Sequence, residues 1–109
     1  MTKIELIEKL FLLPGLIETA EEEAIRANKA IQQVKEILLD REDTLRLNGV
    51  ITGKNVEERT AQLRQHTQIE RNAIQQAENI AGGARVKLNR LLNELAADEA
   101  IAGIIKGAE

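Results

Sequence analysis

Apolar residues recur at helical spacing along most of the chain and predict an all-α fold. Thr2 and Glu5 have the Ser/Thr-x-x-Glu spacing of a capping box, so the first helix is expected to begin there. Pro14-Gly15 favours a break or a kink, since proline lacks a backbone donor. Each glycine of Gly82-Gly83 costs ~1 kcal/mol against alanine inside a helix, so the helix after them is either a separate fourth helix or the continuation of the third. The predicted segments are a short helix over 1–13, a long helix over 16–46, a turn over 47–55, a long helix over 56–81, a helix over 84–102 and a frayed tail over 103–109.

The long first helix carries a regular seam of apolar side chains. From Ile17 to Leu45 the seam positions alternate by three and four residues, as in a coiled coil, and Arg41 is the only polar one among them. The helix after the turn has a different pattern, in which a series beginning with Ile69 and Ile80 recurs every 11 residues. Because an 11-residue period runs nearly straight along an α-helix, this helix is expected to pack without a left-handed supercoil.

The stretch between the long helices is predicted to be a tight turn. Asn55 with Glu58 fits a helix N-cap followed by an acidic residue three positions later. The hairpin tip is assigned to Gly49, Gly53, Lys54 and Asn55. This stretch differs from a phosphate-binding P-loop, because its glycines are one residue too close and Asn55 replaces the Ser/Thr that reaches Mg²⁺.

Together these elements predict a long antiparallel helical hairpin, coiled-coil-like and with an alanine-rich seam, that has short N- and C-terminal helical segments. The chain is expected to form a single helical domain over 1–109. If Leu45 faces Val56 across the tip, Ala24 lies opposite Ala77, and alanine opposes alanine through the lower half of the hairpin. In this register the two predicted breaks lie at the same level.

The composition favours long packed helices and excludes several classes of chemistry. Phe11 is the only aromatic residue, and the chain has no cysteine, which removes disulfides and thiolate metal sites. The net charge of −3 gives no general attraction to nucleic acid or anionic membranes. No apolar run approaches the ~20 residues that span a bilayer, and Glu5 and Glu8 interrupt the N-terminal one. We therefore expect a soluble, cytoplasmic protein with no signal peptide and no membrane partner.

No group of residues has the pattern of a catalytic, cofactor or metal site. His66 and Glu70 lie one helical turn apart, but a metal site needs further ligands. A general base likewise needs a partner constellation, so we predict that the protein is not an enzyme and binds no cofactor. Direct nucleic-acid binding is disfavoured, because residues 65–93 have only a weak basic bias and no aromatic ring on which bases would stack.

The two ends of the chain are the predicted site of self-association. An alanine seam buries little apolar area, and segment 1–13 is apolar over more than half of its circumference, so it needs cover on two sides. We expect a homo-oligomer, with a dimer favoured, and leave any other protein partner unidentified. The candidate surface comprises the apolar residues Leu6, Leu10, Phe11, Leu13, Leu92, Leu95, Ile101, Ile104 and Ile105. Charged residues nearby are expected to pair within the chain, namely Glu18 and Glu21–Glu23 with Arg85, Lys87 and Arg90.

The segment 51–63 resembles a turn-and-helix pattern found in small uncharacterised phage and prophage helical-hairpin proteins. The matching pattern is GKN-x3-R-x2-QL, which comprises Gly53, Lys54, Asn55, Arg59, Gln62 and Leu63 and lies in about an eighth of the chain. The resemblance implies no activity, but it implies an accessory role in a larger phage or bacterial assembly. The residues themselves favour a non-enzymatic structural or interaction protein that acts through its helical faces. An accessory factor of nucleic-acid processing, in phage recombination or replication, is the alternative.

Overall fold

A computed structural model describes residues 1–108 of the chain, which form three helices: α1 (Lys3–Leu47), α2 (Val56–His66) and α3 (Gln68–Ala108). No strand occurs among the described residues. The start of α1 is ion-paired with the C-terminal half of α3, since Lys9 Nζ lies 2.7 Å from Glu94 Oε1. The prediction of an all-α antiparallel helical hairpin is thus confirmed.

Neither Pro14-Gly15 nor Gly82-Gly83 breaks its helix, and of the two alternatives at Gly82-Gly83 the structure has the continuous helix. α1 continues through Pro14-Gly15, and α3 continues through Gly82-Gly83. α3 also includes the tail that was predicted to be frayed, as far as Ala108, whereas Glu109 lies outside the described residues. The cost of one proline and two glycines is thus smaller than the stabilisation from packing on either side of them, as at Leu13, which is only 3% exposed.

The break that does occur separates α2 from α3 at a single residue, Thr67. Its backbone φ of −120° and ψ of 25° depart from helical values, and its side chain is fully buried. Thr67 Oγ1 donates to the Leu63 carbonyl at 2.6 Å and accepts from Arg71 Nε at 3.0 Å. A hydroxyl that bonds to the carbonyl four residues back is known to bend helices, which accounts for an interruption that glycine and proline content did not predict.

Alanine at either glycine of α3 is expected to stabilise the protein. A Cβ built on Gly82 or Gly83 meets no heavy atom within 4 Å, and both residues are helical. We therefore expect Gly82→Ala and Gly83→Ala each to raise the free energy of unfolding by about 0.5–1 kcal/mol, measured by urea denaturation. Gly49→Ala is the control and is expected to lower the free energy of unfolding, because Gly49 has a left-handed φ of 70° that strains an alanine. A loss of stability at both α3 positions would contradict the expectation.

The described residues form two compact units. Unit 1 contains residues 1–26 and 82–108, and unit 2 contains Ala27–Ala81 with the hairpin tip. In each unit a stretch of α1 packs against a stretch of the returning chain. Both helices α1 and α3 contribute to both units, and the prediction of a single helical domain over 1–109 stays a prediction.

The seam of α1 follows the predicted heptad pattern and extends beyond it towards the N-terminus. Its positions alternate by three and four residues, and all are buried or half-buried except Arg41. The seam comprises Leu6, Leu10, Leu13, Ile17, Ala20, Ala24, Ala27, Ile31, Val34, Leu38, Arg41 and Leu45.

The returning chain carries a matching heptad seam, so the predicted 11-residue pattern is wrong. Ile69 and Ile80, which begin the 11-residue series, are 82% and 66% exposed. Thirteen buried and half-buried positions instead form a series that alternates by four and three, and several of them are polar. They are Leu63, Thr67, Glu70, Ile74, Ala77, Ala81, Ala84, Leu88, Leu91, Leu95, Asp98, Ala102 and Ile105.

The two seams pack about one heptad away from the predicted register. Arg41 Nε lies 3.8 Å from Glu70 Oε1, where the predicted register expects Thr60. The burial pattern sets Leu45 opposite Leu63, since these two residues are 4% and 7% exposed, whereas the predicted partner of Leu45, Val56, is 69% exposed. The first turns of α2 therefore close the tip instead of extending the seam.

Candidate interaction surfaces

The hairpin tip is a closed, hydrogen-bonded loop. α1 ends in a Schellman motif, in which the Gly49 N–H donates to the Arg46 carbonyl and the Val50 N–H donates to the Leu45 carbonyl, both at 3.2 Å. The positive φ of Gly49 is what this motif requires of the residue after the cap.

Side chains of α2 hold the second half of the loop. Gln62 Oε1 accepts hydrogen bonds from the Thr52 and Gly53 N–H groups, both at 2.9 Å. Asn55 Oδ1 caps α2 by accepting from the Glu58 N–H at 2.8 Å, which confirms the predicted N-cap. The Glu58 carboxylate in turn accepts from the Lys54 N–H at 2.8 Å. Four residues of the turn-and-helix pattern (Gly53, Asn55, Arg59 and Gln62) therefore have direct structural roles in closing the loop.

Substitution of Gly53 is expected to open this loop. A Cβ at Gly53 would lie 2.7 Å from the Arg59 backbone nitrogen and 2.9 Å from the Glu58 carbonyl carbon, which are too close for any side chain and cannot swing away. We expect Gly53→Ala to lower the free energy of unfolding by about 1–3 kcal/mol, measured by urea denaturation. Gly83→Ala, at an open helical position, is the matched control, and equal stability of the Gly53→Ala and parent proteins would contradict the close approach.

The predicted surface residues divide between the seam and the exterior. Leu6 and Leu13 are buried, and Leu10, Leu95 and Ile105 are half-buried seam residues. The remaining four are exposed: Phe11 (86%), Leu92 (41%), Ile101 (39%) and Ile104 (73%). The structure therefore places five of the nine in intrachain packing and leaves four on the outside.

The start of α1 exposes an apolar stripe on the side away from its seam. Ile4 is 70% exposed, Ile7 is 57% exposed, and Phe11 follows at helical spacing. Ile7, Phe11 and Leu12 also line a shallow apolar hollow together with Glu8. The exposed residue Glu18 continues the stripe at heptad spacing. We call Ile4, Ile7, Phe11 and Glu18 the outer face of α1. Segment 1–13 is apolar around more than half of its circumference, which predicts that it has apolar residues beyond its seam. The apolar residues of the outer face are these residues.

α3 has a corresponding stripe near its C-terminus. Arg90, Ala97, Ile101 and Ile104 are all exposed and share one side of the helix, away from the seam. We call these four residues the outer face of α3. Both outer faces belong to unit 1.

The charges near these faces are paired less than predicted. Lys87 Nζ lies 3.2 Å from Glu23 Oε2, which agrees with the expected intrachain pairing. Within residues 1–108, however, Glu18 and Arg90 make no ion pair, although both lie in unit 1. The same holds for Glu21, Glu22 and Arg85, so the predicted intrachain pairing is wrong for five of its seven residues and is confirmed only for Glu23 and Lys87.

A polar cluster lies inside the seam of the same unit. Asp98 is only 3% exposed, and its Oδ2 lies 3.2 Å from Lys9 Nζ, which also contacts Glu94. The carboxylates of Glu94 and then Asp98 hold the pKa of Lys9 above its ordinary value of 10.5. Asp98 Oδ2 accepts no well-aligned hydrogen bond from the described residues, so the charge of Lys9 is its main compensation.

The described residues contain no group of three His, Cys, Asp or Glu side chains placed to hold a metal ion. His66 is the exposed last residue of α2. No helix among residues 1–108 is both long enough and apolar enough to cross a membrane. Comparison with protein-family models, with curated proteins and with solved structures finds no match to this chain.

Proposed function

We propose that this protein is a non-enzymatic interaction protein that self-associates through the outer faces of its helices. The observation that carries the proposal is the exposure of Phe11, the only aromatic side chain, at 86%. Single exposed apolar residues are common on monomers, but Phe11 continues a stripe with Ile4 and Ile7. Such a stripe on a helix that already has a packed seam is typical of a second packing surface.

The size of the chain supports the same proposal. Alanine, which buries little apolar area, occupies seven of the 25 seam positions, and small helical proteins of this kind gain stability by oligomerisation. No catalytic constellation accompanies the exposed faces, so we propose binding rather than chemistry. The dimer that the sequence favours is one form such association can take.

Sedimentation velocity over a range from low micromolar to millimolar protein tests the proposal. We expect the average mass of the parent protein to rise with concentration and Phe11→Arg to lower it towards the monomer. Ile69→Arg is the matched control, because Ile69 is 82% exposed but lies in unit 2. Circular dichroism verifies that both variants stay helical. A parent protein that is monomeric throughout the range would overturn the proposal.

A further inference from the structure

Resting on the self-association proposed above, we propose that copies of this chain join head-to-tail, with the outer face of α1 in one copy packed antiparallel on the outer face of α3 in another. The partner is thus a second copy of the same chain, and each copy uses two different surfaces. The argument combines the spacing, the size and the charge of the residues on the two faces.

The spacing of the two faces matches in the antiparallel direction. On α1, Ile4 and Ile7 lie seven and four residues before Phe11, and Glu18 lies seven residues after it. On α3, read from its C-terminus, Ile104, Ile101 and Arg90 have the same intervals around Ala97. Antiparallel packing therefore places four pairs at the same levels: Ile4 with Ile104, Ile7 with Ile101, Phe11 with Ala97, and Glu18 with Arg90.

The paired residues are complementary in size and in charge. Phe11, the largest side chain on either face, meets the small side chain of Ala97, which lets the helices approach closely. Glu18 and Arg90 have no ion-pair partner among the described residues of their own chain and would pair with each other between copies. At the level between Phe11 and Glu18 the same register sets Pro14 opposite Glu94, which keeps its intrachain ion pair with Lys9, so the match consists of the three apolar levels and the Glu18–Arg90 level.

Pairing of identical faces lacks this complementarity. If α1 packed in parallel on α1 of a second copy, Glu18 would oppose Glu18. In an antiparallel α1 pair centred on Ile7, Glu18 would extend beyond the partner's first residue. An α3 pair leaves Arg90 without an acidic partner for the same reason. A contact between unlike faces is heterologous, and a dimer joined by one such contact leaves one α1 face and one α3 face free. The assembly therefore lengthens with concentration or closes as a ring, the smallest of which has two copies.

Two blocking variants test this arrangement by sedimentation velocity. Phe11→Arg removes the outer face of α1, and Ile104→Arg removes the outer face of α3; both positions are exposed, so folding is retained, as circular dichroism verifies. Each variant alone is expected to weaken association roughly thirtyfold or more, because an arginine must be desolvated in an apolar contact. An equimolar mixture is expected to form a complex of two chains and nothing larger, since one intact α1 face and one intact α3 face remain.

Each outcome decides between the head-to-tail contact and its alternatives. If Phe11→Arg dissociates the protein and Ile104→Arg does not, the contact joins two α1 faces, which overturns this inference and leaves the proposed self-association intact. A mixture that stays monomeric also overturns it. A parent protein that never associates removes both proposals together. Ile69→Arg, which changes an exposed isoleucine of unit 2, must associate as the parent does.

Because the chain has no cysteine, cross-linking offers an independent readout. We expect a mixture of Ile7→Cys and Ile101→Cys chains to form disulfide-linked heterodimers under mild oxidation. Ile7→Cys alone would cross-link efficiently only if α1 faces paired with each other, and that result would also overturn the head-to-tail contact.

Discussion

Lys9→Met is expected to destabilise the protein, and Asp98→Leu is expected to stabilise it, although the two residues form one ion pair. Asp98 is 3% exposed, whereas the side chain of Lys9 is 39% exposed. Without the ammonium group, the buried Asp98 carboxylate has no opposite charge, and an unsatisfied buried group of this kind costs about 2 kcal/mol of stability. Without the carboxylate, the lysine remains solvated and keeps Glu94, and a leucine completes the apolar seam.

Urea denaturation of the single variants and of the double variant Lys9→Met/Asp98→Leu checks this asymmetry. The double variant is expected to be at least as stable as the parent protein, because it contains no buried charge. Lys87→Met is the matched control: Lys87 and Glu23 are also 3.2 Å apart across the helices, but the Glu23 side chain is 40% exposed, whereas that of Asp98 is 4% exposed. We expect less than about 1 kcal/mol there. Equal losses at Lys9 and Lys87 would show that the burial of Asp98 has no consequence.

The same pair predicts the dependence of stability on alkaline pH. The neighbouring carboxylates raise the pKa of Lys9 in the folded protein above 10.5, so folding is favoured by the protonated form. The contribution of Lys9 is therefore complete below pH 10.5 and is lost as the pH rises through the folded pKa. We expect the stability difference between the parent and Lys9→Met to be constant from pH 7 to 10 and to shrink above it. A difference that grows with pH would contradict this assignment.

The fold class and the α1 seam followed from the sequence because α1 places apolar residues at nearly every heptad position. The seam of the returning chain was missed because Thr67, Glu70 and Asp98 occupy three of its positions. Polar residues at such positions hide a heptad pattern from any count of apolar residues. Exposed Ile69 and Ile80 supplied a competing periodicity instead.

The register depends on these polar seam residues. In the predicted register, Glu70 would face Ile31 and its charge would be buried without a partner. In the observed one, Glu70 lies near Arg41. A polar residue at a seam position, such as the half-buried Glu70, favours one register among several that apolar packing alone would permit. The polar seam residues are visible in the sequence, but the register also depends on the length of the tip. The structure shows that the tip includes the first turns of α2.

The candidate surface stays a prediction, but the burial of its residues divides them into two groups. Segment 1–13 has apolar residues on more than one side, and the register of the hairpin decides which side packs against the returning chain. Leu6 and Leu13 were therefore grouped with Phe11, although they lie in the seam and Phe11 lies on the outer face. The outer face of α3 was less visible because Ala97 and Arg90 belong to it, and neither is a large apolar residue.

Pro14→Ala is expected to give a larger gain in stability than alanine at Gly15, Gly82 or Gly83. Pro14 lies inside α1, where it cannot donate to the Leu10 carbonyl and its ring crowds that carbonyl. Proline costs about 3 kcal/mol against alanine in a helix interior. The unfolded state of the alanine variant is more flexible, which lowers the gain in the free energy of unfolding by about 0.4–1 kcal/mol. The net expected gain in the free energy of unfolding is about 2 kcal/mol.

The measurement of the Pro14→Ala variant is best made in the Phe11→Arg background, because self-association would otherwise add to the apparent stability. Gly15→Ala is the neighbouring control: a Cβ there meets no atom within 4 Å, so we expect a gain of only about 0.5–1 kcal/mol. If Pro14→Ala is no more stable than Gly15→Ala, the prediction is wrong. The missing hydrogen bond of Pro14 then does not lower the free energy of unfolding as expected. If the gain is found and association of Pro14→Ala alone is weakened, the proline shapes the outer face of α1 for its partner at the expense of the stability of the monomer.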